Sequence, residues 1–239
     1  MRDKNTHFQF KHFRINQAGA AMKVSTEACI LGGYCEQAKP QNILDIGTGT
    51  GLLALMLNQK YPQASVTALE IEKNAFLQAQ ENVNQNLLAG KINVLHQSVQ
   101  DFSLSSQEAF DLIVCNPPFY RKHLLSVNKY RNLALHQESL SLEELAECIK
   151  ILLASKGLAF VLLPPKPMQQ FILLCKEKTL FPQKVLEIYH SPQHQLFRYV
   201  VAFGFAQIEA NLEKLYIKNT DATYTEPFQK LLKDFYLAF

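Results

Sequence analysis

Four consecutive residues, Asn116-Pro117-Pro118-Phe119, combine side chains that suit chemistry on a planar amino group. The lone pair of such a nitrogen is delocalised, which makes the nitrogen a poor nucleophile. The Asn116 side-chain oxygen and the Pro117 carbonyl can accept both amino hydrogens and so direct the lone pair toward an electrophile. The two prolines stiffen the backbone, and Phe119 can stack on a flat base. We predict that Asn116, Pro117 and Phe119 are catalytic, the alternative being a plain proline turn.

A glycine-rich segment, Asp-Ile-Gly-Thr-Gly-Thr-Gly at 45–51, is the second candidate for a site. Glycines allow a tight turn and a close approach of the backbone to a ligand. The third glycine comes one residue earlier than in the G-x-G-x-x-G pattern of dinucleotide-binding domains. The acid at its start suits a cationic ligand, such as the ammonium and sulfonium of S-adenosylmethionine (SAM), better than a pyrophosphate. The cofactor-binding residues predicted here are Asp45, Gly47, Gly49 and Gly51.

The segment DIGTGTG resembles motif I of class I SAM-dependent methyltransferases, and Glu70, roughly 20 residues later, resembles their ribose-binding acid. A carboxylate at that place can accept both ribose hydroxyls. The resemblance implies that Asp101, which follows the third predicted strand, contacts the adenine amino group. Ile71 and Phe102 are expected to pack on the faces of the adenine. Each of these lateral residues also has a simpler interpretation as a surface acid or a core apolar side chain.

Strand-like and helix-like segments alternate along the chain. Seven strands are predicted, at 42–47, 65–70, 92–98, 110–116, 157–164, 185–191 and 198–206. Helices are predicted at about 52–60, 74–88, 142–153 and 168–178. This alternation favours a parallel sheet with helices on both faces, and the short last connection requires an antiparallel hairpin. The predicted fold is α/β, the class I SAM-dependent methyltransferase (Rossmann-like) fold, with a seven-stranded, mostly parallel sheet and an antiparallel last strand.

Length and composition predict one folded domain, 1–239, with a basic-aromatic amino-terminal segment (about 1–35) and a carboxyl-terminal helical extension (about 212–239). With 48% hydrophobic and 19% charged residues, the chain does not have the composition of a disordered protein. The five cysteines form no CxxC pair, so we expect no metal site and a reducing compartment. The chain shows no secretory signal or membrane-spanning run, and we therefore predict a cytoplasmic protein without a membrane partner. The oligomeric state is left open.

Basic and aromatic residues cluster in two parts of the chain. Between Asp111 and Glu138 there is no acid, and the stretch holds two arginines, two lysines and two histidines with interleaved tyrosines. The amino-terminal segment adds further basic residues and phenylalanines. This combination suits a phosphate backbone and stacked bases, whereas the net charge of +3 alone proves no partner. A solvated charged loop is the alternative. The predicted RNA-binding residues are Arg14, Tyr120, Arg121, Lys122, Lys129 and Arg131.

Both ends of the chain resemble one bacterial family, the valine-tRNA adenine-N6 methyltransferases. The resemblance is carried by FQFKHFRINQAGAAMKVSTEACILGGY at 8–34 and LYIKNTDATYTEPFQKLLKDFYL at 215–237, with DIGTGTG and NPPF between them. It implies SAM as the cofactor and a tRNA as the substrate, modified at the adenine just 3′ of the anticodon (position 37). It also implies that Lys23, Thr26 and Glu27 lie against the cofactor, with Glu27 standing where an aspartate is expected.

The NPPF segment alone does not select the acceptor. Guanine N2 of ribosomal RNA, adenine in DNA and a protein glutamine also present planar amino groups and stay open as alternatives. A non-catalytic RNA-binding module on the same fold is an alternative of another class, and the intact motifs argue against it. A nicotinamide-dependent oxidoreductase is a third alternative, which Asp45 and the glycine spacing disfavour.

Overall fold

The computed structural model describes residues 6–18, 23–86, 91–117 and 140–239 of the chain. A short antiparallel hairpin comes first, formed by β1 (His7–Gln9) and β2 (Arg14–Asn16). The strands of the main sheet are β3 (Asn42–Ile46), β4 (Ser65–Glu70), β5 (Ile92–His96), β6 (Phe110–Cys115), β7 (Leu153–Leu163), β8 (Phe181–Tyr189), β9 (Leu196–Gly204) and β10 (Asn211–Tyr216).

Among the described residues, the helices are α1 (Thr26–Tyr34), α2 (Leu52–Lys60), α3 (Lys73–Gln85), α4 (Val99–Ser105), α5 (Leu142–Leu152), α6 (Pro165–Glu177) and α7 (Glu226–Leu232). Ser98, Ser141 and Thr225 begin three of them by accepting a backbone N–H with the side-chain oxygen. Glu144 completes a capping box with Ser141. No helix in these ranges is long and apolar enough to cross a membrane.

The main sheet is mixed, with the strand order β10-β8-β9-β7-β6-β3-β4-β5. Strand β9 runs antiparallel to both of its neighbours, and the other pairings in this sheet are parallel. The predicted Rossmann-like α/β fold and the antiparallel pairing of the last two predicted strands are thereby confirmed. The carboxyl ends of the parallel strands share one edge of the sheet, which is where such folds bind their ligands.

The carboxyl-terminal part differs from the helical extension predicted for 212–239. Strand β10 adds an eighth strand at the edge of the sheet, beside β8, before α7 begins at Glu226. The first four residues of β10 are exposed, and an edge strand with so little burial lacks the apolar alternation that reveals strands in a sequence. Helix α7 buries Phe228 and Leu232 and packs on α1 and β10.

Two apolar layers cover the sheet, one on each face. In β7, Phe160 and Leu162 belong to the layer that includes α1, α2 and α7. The alternate residues Ala159, Val161 and Leu163 belong to the layer that includes α5 and α6. Successive side chains of a strand point to opposite faces, so a strand buried on both sides reads as a continuous apolar run. These layers fix the strand ends from which the site is built.

The amino-terminal hairpin is attached to α3 through a buried asparagine. Asn82 donates from Nδ2 to the carbonyls of Asn16 and Thr50, at 2.9 Å each, and accepts the Asn16 N–H at 2.9 Å. The Oδ1 atom of Asn86 also accepts the Arg14 N–H, at 3.1 Å. Because Thr50 belongs to the glycine-rich loop, Asn82 joins the hairpin, α3 and that loop in one network.

Replacing Asn82 with alanine is expected to lower the free energy of unfolding by about 2 kcal/mol, because buried polar backbone groups lose their partners. Urea unfolding followed by circular dichroism measures this change. Gln80→Ala is the matched control, since Gln80 is an exposed amide on the same helix. Equal stabilities for the two variants would show that the asparagine network does not stabilise the fold.

Candidate active site

The strand register brings three parts of the site to adjacent strand ends. The last residue of β3, Ile46, pairs with Leu69 of β4 on one side and with Cys115 of β6 on the other. The residues that follow these three along the chain are Gly47, Glu70 and Asn116. Neighbouring strands lie about 4.8 Å apart, so the glycine loop leaves the sheet between the acid and the asparagine.

The glycine loop leaves open space along its backbone. Gly47 and Gly49 have φ angles of +69° and +59°, which lie in the left-handed region that side chains disfavour. A Cβ atom built on either glycine would meet no atom within 4 Å. Gly51 also has a positive φ, +80°, but a Cβ there would lie 3.5 Å from the Ala79 carbonyl oxygen. The first two glycines therefore border a space for a ligand, whereas the third begins α2 against α3.

Asp45 has a buried carboxyl group, and only one of its two oxygens accepts hydrogen bonds from the described residues. Its Oδ2 accepts the Thr48 hydroxyl at 2.5 Å and the Ala54 N–H at 3.1 Å. Its Oδ1 is buried and has no hydrogen-bond partner among the described residues. Burial raises the pKa of the Asp45 carboxyl to about 7, although both hydrogen bonds act in the opposite direction. A buried acceptor without a partner is unfavourable, so a hydrogen-bond donor on a ligand, preferably a cationic one, would stabilise it.

Glu70 is held in a single orientation at the end of β4. Its Oε2 accepts the Gly49 N–H at 2.8 Å, and its Oε1 accepts the Glu72 N–H at 2.9 Å. Each carboxylate oxygen keeps a second lone pair, so the group can still accept a pair of hydroxyls. Ile71 follows with 49% of its surface exposed, and its carbonyl lies 2.9 Å from His96 Nε2. An apolar side chain thus stands next to the acid.

Asp101 and Phe102 lie in α4, a short helix that was not predicted. Ser98 caps this helix, accepting the Asp101 N–H at 3.0 Å and donating its hydroxyl to the Asp101 carboxylate at 2.7 Å. Asp101 is exposed, and Phe102 is 8% exposed, with its ring centroid 6.0 Å from that of Phe110. Phe102 therefore contributes to the core, and its contact with an adenine stays a prediction, as does that of Asp101.

Two of the three predicted catalytic residues, Asn116 and Pro117, are among the described residues. Asn116 is half-buried at the end of β6, and Pro117 is buried. Phe119 and five of the six predicted RNA-binding residues lie outside the described residues; the five are Tyr120, Arg121, Lys122, Lys129 and Arg131. Arg14, the sixth, is exposed on the hairpin beside α3.

Of the three residues that the resemblance places near α1, Lys23 and Thr26 are exposed and Glu27 is half-buried. Lys23 precedes the helix, and Thr26 is its first residue, after the cap Ser25. Thr26 and Glu27 line a cleft whose other walls come from the segments after β8 and β10. Their contact with a cofactor stays a prediction. Within the described residues, no group of three or more His, Cys, Asp or Glu side chains is placed to hold a metal ion.

Sequence reasoning missed two residues that shape the site. Asn82 bonds the Thr50 carbonyl of the glycine loop, and His96 contacts the backbone of Ile71. Asn82 stands beside Val83 and three residues after Ala79, both buried, so a polar residue on the apolar side of α3 is the signal that could have revealed it. His96 has no comparable signal, because its role depends on the pairing of β4 with β5.

Solved structures of similar fold show which architecture the protein has. A predicted O-methyltransferase from Agrobacterium tumefaciens matches with a TM-score of 0.66 at 18% identity, over 87% of this chain and 95% of that one. The ribosomal protein L11 methylase from Lactobacillus delbrueckii subsp. bulgaricus matches with a TM-score of 0.55 at 20% identity, over 80% and 83%. At these identities the likeness concerns the fold. It shows that the protein has the Rossmann-like fold of SAM-dependent methyltransferases.

Curated relatives then identify the family. The model of the methyltransferase small domain matches residues 24–140. Proteins from Dyadobacter fermentans and Pedobacter heparinus are 38% and 35% identical, over 99% and 97% of this chain and 99% and 98% of their own. A Pseudoalteromonas translucida protein is 36% identical over 96% of this chain and 98% of its own. All three are named tRNA1(Val) (adenine(37)-N6)-methyltransferase. The chain belongs to this family, as its two ends predicted.

The described residues fit SAM, the cofactor of the class. The unpartnered Asp45 Oδ1 would accept the ammonium, and the open space at Gly47 and Gly49 would take the chain that carries it. Glu70, oriented by two backbone N–H groups, would accept the ribose hydroxyls. The exposed side chain of Ile71 lies next to this acid, where the adenine would begin.

The raised pKa of Asp45 predicts a pH-dependent affinity for SAM. Below pH 7 the buried carboxyl is mostly protonated and attracts an ammonium weakly. We expect the affinity to rise roughly fivefold to tenfold between pH 6 and 7.5 as the carboxyl ionises. Calorimetric titration in buffers of different ionisation enthalpy should also detect proton release on binding. Asp45→Asn is expected to bind weakly and without this proton release; a parent protein with pH-independent affinity would contradict the assignment.

Proposed function

We propose that this protein transfers a methyl group from SAM to N6 of adenine 37 in a valine tRNA. The observation that carries the proposal is the position of Asn116. This residue directly follows β6, which pairs with β3, the strand that leads into the glycine loop. The reacting amino group and the cofactor loop would then lie side by side. The named activity of near-full-length relatives supports adenine in tRNA over guanine, DNA or glutamine as the acceptor.

In this proposal the residues at the strand ends position the substrate and the cofactor, and they do not act as an acid or a base. Asn116 Oδ1 and the Pro117 carbonyl accept the two N–H bonds of the adenine amino group and turn its lone pair toward the reacting carbon. SAM supplies the electrophilic methyl group when bound. Asp45 holds the cofactor ammonium, and Glu70 holds the ribose. No dedicated general base is assigned, because the product nitrogen can lose its proton after transfer.

The proposal also covers the RNA contacts, the cellular compartment and the domain organisation. The predicted RNA contacts, including Arg14 on the hairpin, would guide the tRNA toward the edge of the sheet where the parallel strands end. The five cysteines are free and buried, which suits the reducing cytoplasm where tRNA is modified. We also propose that the chain acts as one methyltransferase domain, because α7 packs on α1 and so joins the two ends of the chain.

Incubation with isotopically labelled SAM and unmodified total tRNA, followed by digestion to nucleosides, tests the function. We expect label in N6-methyladenosine. Label in another nucleoside would keep the methyltransferase and reject the adenine. No label in tRNA, with label appearing in ribosomal RNA, DNA or a release-factor glutamine, would assign one of the alternative acceptors. No transfer to any acceptor would favour a non-catalytic RNA-binding protein.

A further inference from the structure

A second cleft opens beside the carboxyl ends of β8 and β10, with a volume of about 430 Å³. The amino end of α1 forms one wall, and the segments after β8 and β10 form the others. The lining residues that can recognise a ligand are Thr26, Glu27, His190, His194, Lys218 and Tyr224. The methyl-transfer chemistry proposed above uses none of the residues from the β8 and β10 segments.

The cleft lies on the same edge of the sheet as Asn116. Strand β8 runs parallel to β6, since both β7 and β8 are antiparallel to β9 and β6 is parallel to β7. Three strand spacings separate β6 from β8, which corresponds to roughly 14 Å. The cleft is thus on the side of Asn116 away from the glycine loop. A short single-stranded stretch of nucleic acid can reach from one place to the other.

The walls combine planar rings with a cation. His190 is exposed, and its ring centroid lies 4.2 Å from that of Phe197 and 5.9 Å from that of His194. Tyr224 is 43% exposed, and Lys218 Nζ lies 5.6 Å from the centre of its ring. Flat side chains that stack on bases, next to a lysine that contacts phosphate, are the usual components of a single-strand binding site.

The backbone holds these groups in place without a ligand. The Lys218 N–H donates to the His190 carbonyl at 2.9 Å, and Lys218 also forms a β-bridge with Tyr224. The turn between them is closed by the Asn219 N–H, which donates to the Thr223 carbonyl at 2.8 Å. Binding therefore requires little ordering of the backbone, which favours affinity.

Within the described residues, no ion pair joins Lys218 to an acid. Asp221, three residues further along the chain, keeps its charge, and its carboxylate accepts the N–H and the hydroxyl of Thr223, at 3.0 and 2.6 Å. Glu27 lies on the α1 wall of the cleft, and its predicted partner is the cofactor. Lys218 remains exposed and can meet a phosphate.

We infer that this cleft is a second RNA subsite, which takes a nucleotide near the target adenine while that adenine lies at Asn116. Lys218 contacts a phosphate, and the exposed ring of His190 stacks on the base. Tyr224, whose ring is itself stacked on Phe228 with centroids 5.2 Å apart, forms the wall beside Lys218. The inference rests on the proposed function, because it takes the anticodon loop as the ligand. It assigns His190 and Lys218 to the recognition of single-stranded RNA, and it leaves the predicted contact of Thr26 and Glu27 with the cofactor unchanged.

The test uses Lys218→Ala and His190→Ala in the full chain, with a fluorescein-labelled valine-tRNA anticodon stem-loop as the probe. Fluorescence anisotropy should show about tenfold weaker RNA binding for each variant. For Lys218→Ala, the slope of log Kd against log salt should fall by about 0.7, the value for one phosphate on a single strand. SAM affinity should be unchanged, and KM for the RNA should rise more than kcat falls. Lys218→Arg should restore binding.

Lys156→Ala is the matched control, because Lys156 is exposed in the amino-terminal half of β7, at the opposite edge of the sheet. If Lys218→Ala bound RNA with the affinity and the salt dependence of the parent, the subsite would be overturned. Methylation of tRNA by the parent protein would still support the proposed function in that case. A loss of SAM affinity with unchanged RNA affinity would assign the cleft to the cofactor and overturn it as well. A parent protein that neither binds nor methylates the stem-loop would reject the proposed function and the subsite together.

Discussion

Asn116→Ala is expected to lower kcat for tRNA methylation by about a hundredfold or more, with SAM affinity close to that of the parent. In the proposed function, the side chain would contact the target base rather than the cofactor and would orient its amino nitrogen in the transition state. Its loss removes one of the two acceptors that turn the lone pair toward the methyl carbon. Single-turnover methylation of the tRNA, together with calorimetric binding of SAM, measures both quantities on the same protein.

Asn93→Ala is the control for this variant. Asn93 is an exposed asparagine on β5, and it lines a shallow depression with the amino ends of β3 and β4, at the edge opposite the site. Its replacement should leave kcat and SAM affinity unchanged. An Asn116→Ala protein that turns over near the parent rate would reject the amino-group chemistry. Equal losses of kcat and of SAM affinity would instead place Asn116 in the cofactor site.

Gly49→Ala is expected to weaken SAM binding by about tenfold to a hundredfold, the cost of forcing a methyl group into occupied space. In the free protein the added Cβ meets no atom within 4 Å, so only the backbone strain at φ +59° destabilises it. That strain amounts to about 1–2 kcal/mol of unfolding free energy. Isothermal titration with SAM and urea unfolding separate the two effects.

The chain offers a matched control at Gly51, which has a φ of +80° but lies against Ala79. Gly51→Ala should lose a similar amount of stability while SAM affinity changes much less. If the two variants lost SAM affinity to the same extent, loop strain would explain the result. The open space at Gly49 would then not be where the cofactor lies.

The central part of the fold and of the site could be predicted because local signals there agree. Strands β3, β4 and β6 are apolar runs that end at a glycine, an acid and an asparagine followed by prolines, so the sequence shows where each strand stops. In parallel sheets those ends meet at one edge. The sequence alone therefore predicts that Asp45, Glu70 and Asn116 lie at the same edge of the sheet, whereas the pairing of β3 with both β4 and β6 is known only from the structure.

Other features depend on contacts between distant segments and have weak local signals. Strand β10 is an exposed polar edge strand and resembles a surface helix in composition. Helix α4 is a single capped segment of seven residues, too short for a clear apolar period. The second cleft unites α1 with the segments after β8 and β10, which are far apart in the chain. Such placements follow from tertiary packing rather than from periodicity.

The central claim is tested most directly by methylation of two valine-tRNA transcripts that differ only at nucleotide 37, which is adenine in one and guanine in the other. After incubation with SAM, nuclease fragments are sequenced by mass spectrometry. The account predicts one N6-methyladenosine, at position 37 of the first transcript, and no methylation of the second. A methyl group on the second transcript, or at any other nucleotide of the first, would contradict it.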